Sequence, residues 1–211
     1  MSIADLRRDY HARALSEADA HPDPIVQFRQ WLDEALRVEP LDATAMTLAT
    51  ASPDGAPAGR IVLLKDVGAD GFVFFTNYKS AKSAQLDANP RACLVFFWAA
   101  LERQVRVTGT VARVNGAQSD AYFASRPLDS QVGAWASPQS RVIASREVLE
   151  HDRAQASARF AGSDVPRPAH WGGYAVAPAT IEFWQGRANR LHDRLRYARS
   201  GSAWTIERLA P

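Results

Sequence analysis

The chain has 211 residues, 46% of them hydrophobic and 23% charged, with a formal net charge of +2 at pH 7, the composition of an ordinary globular protein with one sizeable core. The small net charge argues against a nucleic-acid partner, and the single cysteine, Cys93, excludes an intrachain disulfide and a thiolate metal cluster. The charged N-terminal residues form no secretory signal and no apolar run approaches a membrane span, so we expect a cytoplasmic protein without a membrane partner.

We expect the chain to fold as one domain preceded by an arm. Residues 1–22 are polar and end in HPDP, which predicts a helical or loosely ordered arm and then a break. The domain, residues 23–211, begins with PIVQFRQWLDEALRV, where apolar residues such as Ile25, Phe28 and Trp31 recur at helical spacing. This segment is therefore predicted to be an amphipathic helix.

A series of strands follows this helix. TAMTLATAS, AGRIVLLKDV and GFVFFTN are separated by the turns SPDG and GADG, which is typical of an antiparallel meander. KSAKSAQLDANP is predicted to be a short helix that has a serine cap and ends at Asn-Pro, and RACLVFFW and ERQVRVTGTVARV give two further strands. The apolar neighbours of Cys93 predict a buried, structural thiol.

The second half of the chain adds two helices and three strands. GAQSDAYFASRP is predicted to be a helix that ends at Pro127, and REVLEHDRAQASARFAG is predicted to be a second one. The closing strands are YAVAPATIEFWQG, the arginine-rich segment after it, and SAWTIERL. Roughly eight strands that occur in runs, with few helices, disfavour the parallel α/β classes and predict a small β-barrel with attached helices.

The segment WQGRANRLHDR places three arginines and a histidine close together. Arg187, Arg190 and Arg194 would align on one face of a helix, whereas Arg190, His192 and Arg194 would align on one face of a strand. The β-branched and aromatic neighbours favour the strand. A row of like charges fits an anionic partner, and a solvated strand face is the alternative. The other face of the strand would carry Leu191, Leu195 and Tyr197.

The sequence lacks the motifs of several kinds of chemistry. The sequence contains neither GxGxxG nor GxxxxGK[ST], so it indicates neither a Rossmann nor a P-loop nucleotide site. It also lacks HExxH, a close cluster of histidine and carboxylate, and the GxSxG elbow, so metal catalysis and serine hydrolysis are not indicated. Cationic and hydroxyl side chains at strand ends and helix starts remain, which is how phosphates are usually held. One such group is Tyr122 and Arg126 at helical spacing, with Ser130 just beyond the helix.

Three further stretches carry polar residues that fit a phosphate ligand or a polar ring. FFTNYKSAKS places Lys79 and Lys82 at a helix N-terminus, where free N–H groups and the helix dipole favour an anion. Arg60 and Lys65 bracket the apolar run in RIVLLK, and their odd separation places them on opposite faces of a regular strand. Gln104 in ERQVRV has both a donor and an acceptor for the edge of a polar ring.

Several segments together resemble one family. RIVLLKD, FFTNYKSAK, ERQVRVTG, YFASRPLDSQVGAW, WGGY, EFWQGRANRLHDR and ERLAP resemble, in order and over nearly the full chain, the pyridoxine (pyridoxamine) 5′-phosphate oxidase family. The resemblance implies an FMN-binding split β-barrel that works as a homodimer with the flavin at the subunit interface. It also implies oxidation of pyridoxine 5′-phosphate or pyridoxamine 5′-phosphate to pyridoxal 5′-phosphate. O2 would be the acceptor, giving H2O2, with ammonia released from the amine.

The resemblance also implies roles for individual residues. It assigns catalysis to Arg190 and His192, over the pyridine ring, and to Asp42, near the reacting carbon. The implied flavin contacts are Arg60, Lys65, Phe75, Thr76, Lys82, Gln104, Gln139, Ser140, Trp184 and Arg194. The implied substrate contacts are Arg7, Tyr10, Lys65, Tyr122, Arg126, Ser130, Arg190 and His192. No metal is implied.

One position departs from the family pattern. Ala81 stands where the family usually has a basic residue before the lysine, so the resemblance does not extend to this part of the flavin phosphate clamp, and Lys79 is the candidate substitute. Two other functions remain as alternatives. A split-barrel FMN oxidoreductase acting on another substrate would bind flavin but ignore the phosphorylated B6 vitamers. A non-enzymatic pyridoxal phosphate carrier would not need flavin, and the flavin-matching residues argue against it.

Overall fold

A computed structural model describes residues 2–5, 9–10 and 13–211. Over these ranges the chain forms five α-helices and nine strands, and every strand pair is antiparallel. The predicted class, mainly β with attached helices, is confirmed, with one strand more than the roughly eight expected. No helix in the described part of the chain is long and apolar enough to cross a membrane.

The strands form one curled sheet in the order β2-β1-β5-β6-β7-β4-β3, and β8 pairs with both β7 and β9. A short turn of 3-10 helix separates β7 from β8. The bounds are β1 (Ala45–Ala51), β2 (Pro57–Leu63), β3 (Asp66–Gly68), β4 (Gly71–Asn77), β5 (Arg91–Trp98), β6 (Arg103–Arg113), β7 (Trp171–Gln185), β8 (Asp193–Ser200) and β9 (Ala203–Arg208).

The long strand β7 pairs with two different strands along the same edge. Its residues 171–176 pair with β4, and its residues 180–185 pair with β8. Between these two parts, the register of β6 against β7 shifts at Gly109. A Cβ atom on Gly109 would lie 2.0 Å from the carbonyl oxygen of Ala177, so only glycine allows the strands to approach here. Such a bulge bends the strands, and the sheet curls at this point.

The helices are α1 (Pro24–Val38), α2 (Ala81–Ala88), α3 (Gly116–Ala124), α4 (Leu128–Ala136) and α5 (Arg146–Arg159). Asp23 caps α1, because its Oδ1 accepts the N–H of Ile25 at 2.7 Å. Ser80 caps α2 as predicted, by accepting the N–H of Ser83 at 3.4 Å. The sequence did not predict α4, because this short helix buries only Val132 and shows no apolar stripe.

The main core lies between α1 and the inner face of the sheet. Phe28 of α1 is fully buried, and its ring centroid is 4.8 Å from that of Phe72 and 5.0 Å from that of Phe96. Truncating such a side chain to alanine typically costs about 3–5 kcal/mol. A smaller cluster under α3, α4 and α5 contains Phe123, Val132, Phe160 and Trp171. This second cluster fixes the helices against the edge where β4 and β7 meet.

The structure corrects two expectations. The arginine-rich segment is not one strand, because a 3-10 turn spans Ala188–Arg190 and β8 begins only at Asp193. Asn189 and Arg190 have φ angles of 56° and 64°, which no strand allows. Leu191 is 70% exposed, whereas Leu195 and Tyr197, which were predicted to share its face, are buried. Cys93 is only partly buried, because it lies on the outer face of β5. The next residue, Leu94, points to the opposite face and is buried in the core.

Candidate active site

A cavity of about 600 Å³ lies between β2, β4 and the helices α3 and α4. The strands supply one wall, the turn between α3 and α4 supplies the other, and Trp171 of β7 contributes to the lining. The cavity brings together eight side chains that are far apart in the sequence and that the family resemblance assigns to flavin or substrate. These are Lys65, Phe75, Thr76, Lys82, Tyr122, Arg126, Ser130 and Gln139.

Arg126 is the cation at the helical wall of this cavity. Its guanidinium carbon lies 4.7 Å from the ring centroid of Trp171, and its Nη1 is buried without a hydrogen-bond partner. Among the side chains of the described residues, this is the one buried nitrogen or oxygen in that state. Burial lowers the pKa of the Arg126 guanidinium. A buried, unsatisfied N–H on a cation that lines a cavity fits an anionic ligand such as a phosphate.

Lys82, at the start of α2, is a second cationic side chain in the cavity lining. Its Nζ donates to Gln139 Oε1 at 3.0 Å, to Thr76 Oγ1 at 3.2 Å and to Ser80 Oγ at 3.4 Å, all neutral oxygens. Burial, and then the charge of Arg60, lowers the pKa of the Lys82 ammonium. None of these three partners is a carboxylate, so the ammonium is available to pair with an incoming anion. The residues present therefore fit a cofactor that carries a phosphate.

Arg60 and Lys65 take different positions, as the odd spacing predicted. Lys65 follows the end of β2 and lines the cavity. Arg60 is absent from the lining and donates instead to Thr50 Oγ1 at 2.6 Å and to Gln85 Oε1 at 3.0 Å. Lys79, the candidate substitute for the basic residue missing at Ala81, lines a separate cavity of about 310 Å³.

A second group of predicted residues lies on the outer face of the sheet. Gln104, Trp184 and Arg194 are direct neighbours across β6, β7 and β8. Arg194 Nε donates to Glu182 Oε1 at 2.9 Å, and its Nη1 donates to the carbonyl oxygen of Ala210 at 2.8 Å. The other oxygen of Glu182 pairs with an arginine of β6. Glu182 was not predicted as a site residue, although an acid within the apolar run IEFW was a usable signal.

His192 joins this second group through aromatic contacts. Its ring centroid lies 4.7 Å from that of Trp184 and 5.8 Å from that of Tyr10. His192 Nδ1 accepts the backbone N–H of Arg187 at 3.1 Å, so the neutral ring carries its proton on Nε2. Burial, and then the charge of Arg190, lowers the pKa of His192. The ring is therefore held as a neutral donor at its free edge.

Within one protomer, the two groups stay apart. None of Gln104, Trp184, His192 and Arg194 lines the cavity. Asp42 lies exposed in the turn before β1, and Ser140 lies beyond α4 with a φ of 69°. The remaining predicted substrate contact, Arg7, lies outside the described residues.

Comparison with known proteins identifies the family. Residues 32–159 match the family model described as pyridoxamine 5′-phosphate oxidase, and residues 171–211 match the pyridoxine 5′-phosphate oxidase C-terminal dimerisation region. The chain belongs to the pyridoxine/pyridoxamine 5′-phosphate oxidase family.

Curated relatives support this over the whole length. The pyridoxine/pyridoxamine 5′-phosphate oxidase of Gloeothece citriformis is 58% identical over 211 residues, covering 100% of this chain and 99% of the relative. The enzyme of the same name from Thermosynechococcus vestitus is 59% identical over 209 residues, covering 99% of each chain. The chain is accordingly an FMN-dependent oxidase that forms pyridoxal 5′-phosphate from the phosphorylated B6 vitamers.

Solved structures share the fold. PhzG from Burkholderia lata, solved with tetrahydrophenazine-1-carboxylic acid, superposes with a TM-score of 0.87 at 29% identity, covering 94% of this chain and 98% of its own. An FMN-binding protein related to pyridoxamine 5′-phosphate oxidase from Nostoc punctiforme gives a TM-score of 0.71 at 19% identity, covering 87% and 97%. The curled sheet of this oxidase is therefore a split barrel, and its C-terminal strands form the family's dimerisation region.

Proposed function

We propose that the cavity beside α3 and α4 holds both phosphate-bearing molecules of the reaction, FMN near Lys82 and the B6 vitamer near Arg126. O2 is the electron acceptor, and hydrogen peroxide is the second product, with ammonia released from the amine substrate. The observation that carries the proposal is the buried Arg126 Nη1 without a partner, because a phosphate oxygen supplies the acceptor that it lacks.

The vitamer phosphate is assigned to four side chains on the helical side of the cavity. Arg126 and Lys65 supply charge, and Tyr122 supplies a hydroxyl. Ser130 supplies a second hydroxyl from the first turn of α4, near the positive end of the helix dipole. The charges hold the phosphate, and the fixed ring of Tyr122 limits the positions available to the rest of the substrate.

The flavin is assigned to the strand side. Lys82, Thr76 and Gln139 form one hydrogen-bonded group that would hold the flavin phosphate, and Phe75 would limit the space beside it. Arg60 approaches this group closely enough for its charge to affect Lys82. We assign Ser140, next to Gln139, to the same ligand.

The remaining flavin contacts are assigned to the second subunit of a homodimer. Gln104, Trp184 and Arg194 lie on the outer sheet face, outside their own protomer's cavity. That face also carries Phe97, which is 54% exposed, and β2 contributes Ile61, which is 64% exposed. Apolar exposure of this kind favours burial against another chain. A second protomer packed there would place its row of three residues beside the cavity, with FMN at the interface.

The chemistry follows from these assignments. When bound, FMN would accept a hydride from the C4′ carbon of the vitamer. Arg190 and His192 orient the pyridine ring, Arg190 through its fixed planar charge and His192 through its Nε2–H. We assign to the Asp42 carboxylate the proton that the alcohol or ammonium group loses.

The N-terminal residues 1–22 are assigned the role of a cover, and residues 23–211 form the catalytic unit. Tyr10 contacts Trp184 and His192 edge-on, and these contacts support the assignment. Arg7 is proposed to contact the substrate from the same arm. We also propose the cytoplasm as the compartment, because the lone thiol of Cys93 suits a reducing environment.

Anaerobic spectroscopy tests the proposal. The purified protein is reconstituted with FMN, and visible spectra are recorded before and after pyridoxine 5′-phosphate is added without oxygen. Loss of the oxidised flavin absorbance, its recovery in air and formation of pyridoxal 5′-phosphate are expected. Flavin that binds but stays oxidised would indicate another substrate, and failure to bind flavin would favour a vitamer carrier.

A further inference from the structure

Asp193 joins three segments of the chain. Its Oδ2 accepts the backbone N–H of Leu15 at 3.1 Å and Nη1 of Arg187 at 2.8 Å. Its Oδ1 accepts Nη1 of Arg208 at 2.9 Å. Both carboxylate oxygens are thus used, by the N-terminal arm, by the turn before β8 and by the end of β9. We call these contacts, together with the Glu17–Arg208 pair described next, the arm clamp.

Arg208 completes the clamp from the other side. Its Nε and Nη2 donate to the two oxygens of Glu17 at 2.9 and 2.7 Å, and Nη2 also reaches the carbonyl oxygen of Leu15 at 3.1 Å. Leu15 itself is 5% exposed and belongs to the main core. The guanidinium therefore binds the arm through a side chain and through the backbone, a geometry that only arginine among the cations provides.

The arm clamp is directly connected to His192 and Tyr10, two residues assigned to the substrate. Asp193 follows His192 in the chain, and Arg187, which Asp193 binds through its guanidinium, donates its backbone N–H to His192 Nδ1. Five residues before Leu15, Tyr10 packs against His192, and a Cβ on Gly186 would lie 2.7 Å from Cγ of Tyr10. One carboxylate thus fixes both the arm and the turn that the arm covers.

We propose that Asp193 and Arg208 are positioning residues that hold the N-terminal arm against the His192 turn and so set the affinity for the vitamer. The inference rests on the proposed function, because it uses the assignment of His192 and Tyr10 to the substrate. Neither Asp193 nor Arg208 lines the cavity assigned to the ligands.

The charges in the clamp support this role. Hydrogen bonds from Arg208 hold the pKa of Glu17 at about 2, and those from Leu15, Arg208 and Arg187 hold the pKa of Asp193 below its usual value despite burial. Both carboxylates are thus ionised at neutral pH, when the clamp is complete.

The test uses the full-length holoenzyme. Asp193→Asn keeps the size of the side chain but removes its charge, and Arg208→Lys keeps the charge but loses the planar set of donors. The matched control is Glu207→Gln, which weakens the Arg196–Glu207 ion pair on the same β8–β9 hairpin without touching the arm. Arg13, whose side chain is 58% exposed, provides a trypsin site within the arm.

Two readouts are measured for each protein, the rate of trypsin cleavage after Arg13 and the separate values of KM and kcat. Asp193→Asn loses charge-assisted hydrogen bonds to the arm, so trypsin is expected to cleave it about tenfold faster. Its KM is expected to be about tenfold higher, and its kcat to change less than about twofold. Arg208→Lys is expected to show the same changes, and Glu207→Gln is expected to match the parent protein.

Unchanged cleavage and unchanged KM in both variants would overturn the proposal. Faster cleavage with an unchanged KM would also overturn it, because the arm would then be held without serving the substrate. If the parent protein binds FMN but does not oxidise the vitamer, the proposed function fails by itself, and the cleavage rates still report whether Asp193 and Arg208 hold the arm.

Discussion

The ring of Phe75 on β4 stacks on the ring of Tyr122 on α3, with centroids 4.1 Å apart and planes inclined by 22°. Trp171 of β7 extends the stack, with its centroid 5.4 Å from that of Phe75 and 6.1 Å from that of Tyr122. This stack joins the strand assigned to flavin to the helix assigned to the vitamer phosphate. A change in one ring therefore affects both sites.

Phe75→Leu is expected to weaken both ligands. Loss of stacking, at about 0.5–1.5 kcal/mol for an aromatic pair, predicts a roughly two- to tenfold higher Kd for FMN and a similar rise in KM. Flavin fluorescence titration and steady-state kinetics measure the two effects. Phe160→Leu, in the cluster under α5 and outside this cavity, is the control. An effect on FMN alone would show that the stack does not couple the sites.

Arg126→Met should change stability and function in opposite directions. Removing a buried N–H without a partner stabilises the ligand-free protein by about 1–3 kcal/mol. Losing charge-assisted hydrogen bonds to the vitamer phosphate raises KM at least tenfold, while FMN stays bound. Thermal unfolding without ligand and steady-state kinetics test the two parts, and a lower Tm together with an unchanged KM would contradict both.

Glu182→Gln is expected to destabilise the sheet and to loosen Arg194. Glu182 is 4% exposed and pairs with arginines of β6 and β8, so loss of its charge costs about 1–3 kcal/mol. The exposed pair of Arg196 and Glu207 gives the comparison, because Glu207→Gln should cost less than about 1 kcal/mol. Urea unfolding measures both values, and equal losses would show that burial of Glu182 has no energetic effect.

Ionisation of the Tyr197 phenol is expected to destabilise the protein at alkaline pH. Burial raises the pKa of its phenol to about 12, and the hydroxyl donates to the carbonyl oxygen of His21 at 2.8 Å. Because the folded-state pKa lies above the unfolded value of about 10, this contribution is complete below pH 10 and is lost as the pH rises towards 12. Tyr197→Phe should show a smaller fall in the free energy of unfolding over that range, measured by urea unfolding at each pH. Identical slopes in the two proteins would rule out ionisation of Tyr197 as the cause.

The local sequence was sufficient to predict elements whose pattern is long or whose turns are explicit. The helix α1 was predicted from apolar residues at helical spacing, and closing strands were predicted where β8 and β9 lie. The helix α4 was missed because its residues have neither a stripe nor a strong cap. Tertiary contacts, such as that of Val132 with the α5 cluster, stabilise it instead.

Prediction of the candidate site from the sequence was limited by contacts between distant parts of the chain. Residue types alone suggested cations for a phosphate, and the cavity brings Lys65, Lys82 and Arg126 together. The turn at Asn189 was misread as a strand because alternation does not reveal two successive left-handed residues. Long-range partners such as Glu182 and Asp193 were not predicted, because their ion pairs depend on how strands and arm meet in space.

The arm clamp also sets an order of events during synthesis. Leu15 and Asp193 are 178 positions apart, and Glu17 and Arg208 are 191 positions apart. A ribosome therefore releases the arm long before its partners on β8 and β9 exist, and the arm clamp is incomplete until Arg208, at the end of the last strand, has been made. A chain that stalls before β9 lacks Arg208, so of the arm clamp only the Asp193 contacts with Leu15 and Arg187 can form in it.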